Sequence, residues 1–126
     1  MARILIAEDE DTLRALVARA LRDVGHEVVV TADGAEALEV LQREQGRFDL
    51  LLADIKMPVM DGIALALAAA RDAPEVTILL MTGYADQRER ASGLDALVHD
   101  VVLKPFTLAE IRSAVKEALA ANAKAG

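Results

Sequence analysis

Residues 48–65 read FDLLLADIKMPVMDGIAL, and what decides the fold is why the apolar run Leu50-Leu51-Leu52-Ala53 ends in the carboxylate of Asp54. Four apolar residues in a row, with polar residues on either side, have the length of a strand buried on both faces. A carboxylate at the edge of such a strand loses hydration, and without cationic compensation it is driven toward its neutral form. Asp54 therefore requires a positively charged partner from elsewhere in the chain.

Outward from this run, short apolar stretches alternate with segments of helical period, the pattern of repeated β/α units around a parallel sheet. Ile4-Leu5-Ile6-Ala7 predicts the first strand, and Leu13, Leu16, Val17, Ala20, Leu21 and Val24 lie on one face of a helix that Gly25 ends. Val28-Val29-Val30 predicts the second strand, with Asp33 and Glu36 as an N-cap pair for a helix running toward Gly46. The third strand is 50–53, the third helix starts after Gly62, and the fourth strand is 76–81. Asp86 and Glu89 are positioned to cap a fourth helix. Val101-Val102-Leu103 forms a short fifth strand, and Thr107-Leu108-Ala109-Glu110 has the capping-box form before a helix with Leu108, Ile111, Val115, Ala118 and Leu119 facing inward. The expected fold is a doubly wound (βα)5 α/β domain with a five-stranded parallel sheet.

Composition limits the function. The chain has 126 residues, the size of one domain, and 54% of them are apolar. Aromatic residues make up 2%, so aliphatic side chains must fill the core. A formal charge of -7 repels nucleic acid and anionic membrane, arguing against either as a partner. The absence of cysteine excludes disulfides, cysteine-type zinc sites and thiol chemistry. The start Met1-Ala2-Arg3-Ile4 does not read as a signal peptide, since the apolar stretch is short and turns acidic at Glu8, so a cytoplasmic location is expected.

In open α/β sheets, ligands gather beyond the carboxyl ends of the strands, where strand order reverses. Glu8-Asp9-Glu10-Asp11 follows the first strand, Asp54 the third, Thr82-Gly83 the fourth and Lys104-Pro105 the fifth. Carboxylates sharing one crevice repel each other unless a hard cation sits among them, and magnesium suits an oxygen donor set. With Lys104 and the Thr82 hydroxyl added, the set is suited to holding a phosphoryl group, and Asp54 can act as a nucleophile toward phosphorus.

Each piece taken alone has a plainer alternative. The acids fit a helix N-terminus, Asp54 a cap, Lys104-Pro105 a strand exit and Thr82-Gly83 a turn. Four coincidences at the ends of four of the five strands outweigh those separate explanations. His26 and His99 lie beside predicted turns and read as surface residues, and Met57, Met60 and Met81 as packing.

With the loop Met57-Pro58 and Asp61-Gly62 after Asp54, the chain resembles the CheY-like receiver domains of two-component response regulators. "MTGYAD" and "VVLKPF" are further similar to stand-alone receivers of the CpdR type. The resemblance implies a receiver over 1–121 with strand order 2-1-3-4-5, a short tail over 122–126 and no output domain. It implies Asp54 as phosphoacceptor, assisted by Lys104 and Thr82. Mg2+ would be held by Asp9, Asp54 and the Lys56 carbonyl, with Glu8 acting through water. The Lys104-Pro105 bond is expected to be cis.

The expected function is a phosphorylation-dependent switch, not an enzyme with a separate product. Its partners would be a sensor histidine kinase or histidine phosphotransfer protein and a downstream target, with protease adaptors as the example the CpdR type offers. A monomer or weak dimer is expected. A phosphate sink without a target is the alternative. A metal-dependent aspartyl phosphatase fits less well, because it wants a second Asp where Lys56 stands, and a flavodoxin-like cofactor carrier wants a phosphate loop where the acids stand. The family's inward-turning aromatic is replaced by Val101, and Tyr84 is the ring that could serve the same region. Lys56 and Tyr84 occupy the positions that tune water access in the family, which implies slow phosphoryl loss.

Overall fold

The computed structural model describes residues 1–125, with side chains through residue 121. Its elements are β1 (Arg3–Ala7), α1 (Asp11–Asp23), β2 (Glu27–Thr31), α2 (Gly34–Arg43), β3 (Leu50–Asp54), α3 (Gly62–Asp72), β4 (Thr77–Thr82), α4 (Ala85–Ser92), β5 (Asp100–Leu103) and α5 (Leu108–Ala125). The strands pair in parallel in the order β2-β1-β3-β4-β5, as expected. The order reverses at β1 and β3, which sit side by side at the centre.

Both faces of the sheet are covered, and the period of two along each strand divides the core. Leu5, Leu51, Ala53, Ile78 and Leu80 face α2 and α3, where Ala37, Leu41, Leu65, Ala66 and Ala69 meet them. Ile4, Ile6, Leu50, Leu52, Leu79 and Met81 face α1 and α5 through Val17, Leu21, Ile111 and Val115. This two-sided burial is why strand 3 reads as an unbroken apolar run with no alternation.

The helix starts follow the expected chemistry in two cases. Asp33 accepts a hydrogen bond from the Glu36 amide at 2.8 Å. Thr107 and Glu110 form the full reciprocal box, at 2.9 and 3.0 Å. Gly25 ends α1 with φ of 97°, a conformation open to glycine and strained for other residues.

Four expectations change. Helix α4 is not capped by Asp86 and Glu89: its N-cap is Tyr84, without a side-chain cap, and Asp86 lies inside the first turn. Leu16 and Val24 are exposed, because α1 turns the Val17, Ala18, Ala20 and Leu21 stripe to the sheet and ends at Asp23, one residue before Val24. The tail expected from Asn122 continues α5 to Ala125, since Ala-rich sequence propagates a helix until a breaker, and Gly126 lies outside the described residues. His26 is half-buried, its Nδ1 accepting from the Ala2 amide at 3.3 Å, whereas His99 is exposed as expected. Burial lowers the pKa of His26, and the nearby N-terminal ammonium adds to the effect. Met57 and Met81 are core residues, and Met60 packs against the core.

Candidate functional site

In a parallel sheet every strand delivers its carboxyl end to the same edge, so residues just past β1, β3, β4 and β5 become neighbours. Ala7 pairs with Ala53 in register, which sets Glu8 and Asp9 beside Asp54. Glu8, Asp9, Glu10, Asp54, Lys56, Gly83, Tyr84 and Lys104 line one open cleft there.

The partner that Asp54 requires is Lys104. Its Nζ donates to Asp54 Oδ2 at 3.0 Å and to Glu8 Oε1 at 2.7 Å, bridging residues 50 and 96 positions away in sequence. Glu8 is 1% exposed and Asp54 7%, so water reaches little of either carboxylate and this ammonium is the cation that faces both. Glu8 also accepts from the Glu10 amide through its second oxygen, at 3.1 Å. Its contact with the lysine is thus direct. The Lys104-Pro105 bond is cis, as expected.

One oxygen each from Glu8, Asp9 and Asp54 lies within 4.8 Å of the others. Three carboxylates against one ammonium leave the cluster with two uncompensated negative charges, the balance a divalent cation would neutralise. Burial pushes the Asp9 carboxyl above its ordinary range, and the adjacent Glu8 adds to the push. For Lys104, burial works to lower the pKa, but the hydrogen bonds to Glu8 and Asp54 and their charges together outweigh it and raise the value. The donor set is hard, acidic and open on one side, so it fits Mg2+.

The loop after Asp54 is shaped by three residues. Gly62 donates from its amide to the Ile55 carbonyl at 2.8 Å, and a Cβ there would lie 2.3 Å from the Asp54 carbonyl oxygen. Only glycine allows α3 to start so close to the site. Asp61 caps that helix by accepting from the Ala64 amide at 2.8 Å. Val59 sits at the tip with φ of 68°, between the Pro58 carbonyl and the Met60 amide that bond at 2.8 Å, a positive-φ γ-turn that is strained for a β-branched residue.

Lys56 and Tyr84, from separate loops, meet across the cleft mouth with the Lys56 Nζ 5.0 Å from the ring centre. Tyr84 is half exposed, at 50%. Thr82 is fully buried, and its hydroxyl serves α4: it donates to Gln87 Oε1 at 2.9 Å and accepts from the Tyr84 amide at 3.1 Å. Val101 packs against the apolar core and does not line the cleft.

Residues 4–116 match the response regulator receiver domain. The chain belongs to this family. Receivers are signalling switches that accept phosphoryl groups from histidine kinases and bind Mg2+ at an acidic pocket. This receiver is 38% identical to the response regulator receiver protein CpdR of Brucella abortus over 96% of this chain and 99% of that one. It is 35% identical to the transcriptional regulatory protein PrrA of Mycobacterium bovis over 93% of its own length but 49% of PrrA, so it spans about half of that regulator. Among solved structures it is similar to the response regulator TrrA of Thermotoga maritima in complex with Mg2+ and BeF. The TM-score is 0.82 at 30% identity, covering 94% of this chain and 99% of that one. Among the described residues of this receiver, no helix is long and apolar enough to cross a membrane.

Sequence reasoning brought Glu8, Asp9, Asp54, Lys56, Tyr84 and Lys104 to one place, and the cleft holds all six. It missed Gln87. Its position on the first turn of the helix after Thr82 was the available signal, but the capping pair assigned to that helix pointed elsewhere.

Proposed function

We propose that this receiver is phosphorylated on Asp54 and that the phosphoryl group changes its binding to a partner protein. The observation that carries the reading is the Lys104 ammonium bridging Asp54 and Glu8 beside the three-carboxylate cluster. Asp54 Oδ attacks phosphorus, the bond from phosphorus to a donor imidazole breaks, and the imidazole leaves with its electron pair and takes a proton. Lys104 stays charged throughout and pairs with a phosphoryl oxygen as negative charge spreads over the group. Thr82 donates its hydroxyl proton to another of these oxygens. Asp9, Asp54 and the Lys56 carbonyl would hold Mg2+, with Glu8 acting through water, and the bound ion supplies charge neutralisation at the phosphoryl oxygens.

The donor is a sensor histidine kinase or a histidine phosphotransfer protein, and the readout is protein binding, with no nucleic acid or membrane partner, by a monomer or weak dimer in the cytoplasm. A phosphate sink without a dedicated target is the alternative, and partner binding that depends on Asp54 phosphorylation separates the two. The Lys56 side chain over the Tyr84 ring favours slow loss of the phosphoryl group, because the pair narrows the approach of water. Lys56→Ala and Tyr84→Ala are each expected to shorten the lifetime of the phosphorylated form.

The test is intact-mass spectrometry after incubation with acetyl phosphate. A phosphoryl-sized gain that requires both Mg2+ and Asp54, and is absent from Asp54→Ala, is expected. No gain by folded wild-type protein overturns the reading and leaves a constitutive binding module.

A further inference from the structure

Helix α4 is held to the rest of the domain by little. Ala91 is its one buried residue. Among the described residues, two polar side-chain links join it to other elements: Gln87 to Thr82 at 2.9 Å, and Arg90 to Asp61 at 3.7 Å. The second is long and exposed on both sides, so it is weak. The first is sheltered, and it ends on the side chain that the proposed function assigns to the phosphoryl group.

A threonine hydroxyl has one proton to donate. Here that proton goes to Gln87 Oε1, while the oxygen accepts the Tyr84 amide at the N-cap of the same helix. The start of α4 is therefore organised around the Thr82 hydroxyl from both directions. A hydroxyl that turns to donate to a phosphoryl oxygen must release Gln87.

We propose that Gln87 is a positioning residue that holds Thr82 away from the phosphoryl site in the unphosphorylated receiver, and that its release transmits phosphorylation to α4. The proposal rests on the reading of Thr82 as a phosphoryl donor given above. Gln87 sets the price of activation, since its hydrogen bond must be broken for Thr82 to engage. It also gives this chain, with Val101 packed in the core region, a polar link between the site and α4. The same exchange frees the first turn of α4, leaving the helix held by Ala91 and by the ion pair of Arg90 with Asp61.

The test uses the full chain with Mg2+ and beryllofluoride as a phosphoryl stand-in, titrated by calorimetry, and hydrogen exchange of the α4 amides by mass spectrometry. Gln87→Met keeps the length of the side chain and removes the amide acceptor. It is expected to bind beryllofluoride about threefold to tenfold more tightly than wild type, the worth of one neutral hydrogen bond no longer broken. The α4 amides of the free variant should exchange as fast as those of the beryllofluoride-bound wild type. In a Thr82→Val background, where no hydroxyl proton is contested, Gln87→Met should leave affinity unchanged, a result that general loosening of the helix would not produce. Affinity within twofold of wild type, or an equal gain in the Thr82→Val background, overturns the proposal while the phosphoacceptor reading stands. Failure of folded wild-type protein to bind beryllofluoride with Mg2+ overturns both.

Discussion

Replacing Lys104 by methionine keeps most of the aliphatic stem and removes the charge that two buried carboxylates share. The ammonium makes hydrogen bonds of 2.7 and 3.0 Å to Glu8 and Asp54, and its own side chain is 21% exposed. A charge-assisted hydrogen bond is worth about 1.5–3 kcal/mol, and removing one partner of a buried pair destabilises by about 3–5 kcal/mol. The cleft is open on the Lys104 side, so water recovers part of this, and a loss of roughly 2 kcal/mol is expected in metal-free buffer near neutral pH. The sign with pH follows from the raised Lys104 pKa in the wild type. Its contribution is fully present below the unfolded lysine pKa and is lost as pH rises through the higher folded value, in the alkaline range. Urea unfolding of both proteins at mildly acidic, neutral and mildly alkaline pH, with and without Mg2+, measures this. Mg2+ should stabilise the variant by at least as much as the wild type, since the variant cluster carries one more uncompensated charge. Equal stability of the two proteins at neutral pH without Mg2+ would refute the view that Lys104 compensates Asp54 and Glu8.

Three further outcomes are expected. Gly62→Ala places a methyl 2.3 Å from the Asp54 carbonyl oxygen, so it should cost several kcal/mol by thermal unfolding, on the order of 2–4, and weaken beryllofluoride binding in whatever protein remains folded. Val59→Asn relieves a β-branched residue at φ of 68° on an 85% exposed position and should raise stability by about 1 kcal/mol without altering phosphorylation by acetyl phosphate. Because burial and Glu8 raise the Asp9 pKa, protons compete with Mg2+ at higher pH than for an ordinary aspartate, so Mg2+ affinity by calorimetry should fall on acidification earlier in wild type than in Glu8→Gln.

How much of this was legible beforehand differs by residue. Asp54 could be singled out because a carboxylate after four apolar residues is an anomaly in one dimension, and Lys104 because a lysine after the last strand is the natural cation for it. The Thr107–Glu110 box was readable because both partners lie three residues apart, within one turn. The Asp86–Glu89 pair has the same spacing and did not cap, since α4 begins at Ala85 and leaves Asp86 inside the helix. Leu16 fits the apolar stripe by period, yet α1 is rotated so that Val17, Ala18 and Leu21 pack into the core under the sheet, and that rotation exposes it.

By itself, the sequence determined the order of elements, the two-sided burial of the central strands and the edge at which the acids, the hydroxyl and the lysine collect, because periodicity and strand direction are local properties. Which of those groups touch was decided only in three dimensions. That Lys104 bridges Glu8 and Asp54 directly, that Lys56 covers the Tyr84 ring, and that the Thr82 proton belongs to Gln87 depend on side chains from different loops arriving within about 3–5 Å of one another. A rotamer choice at any of them moves the contact by more than a hydrogen bond tolerates. The chemistry of the site was therefore written in the composition of the strand ends, and its resting state in how the tertiary packing shares out one ammonium and one hydroxyl proton.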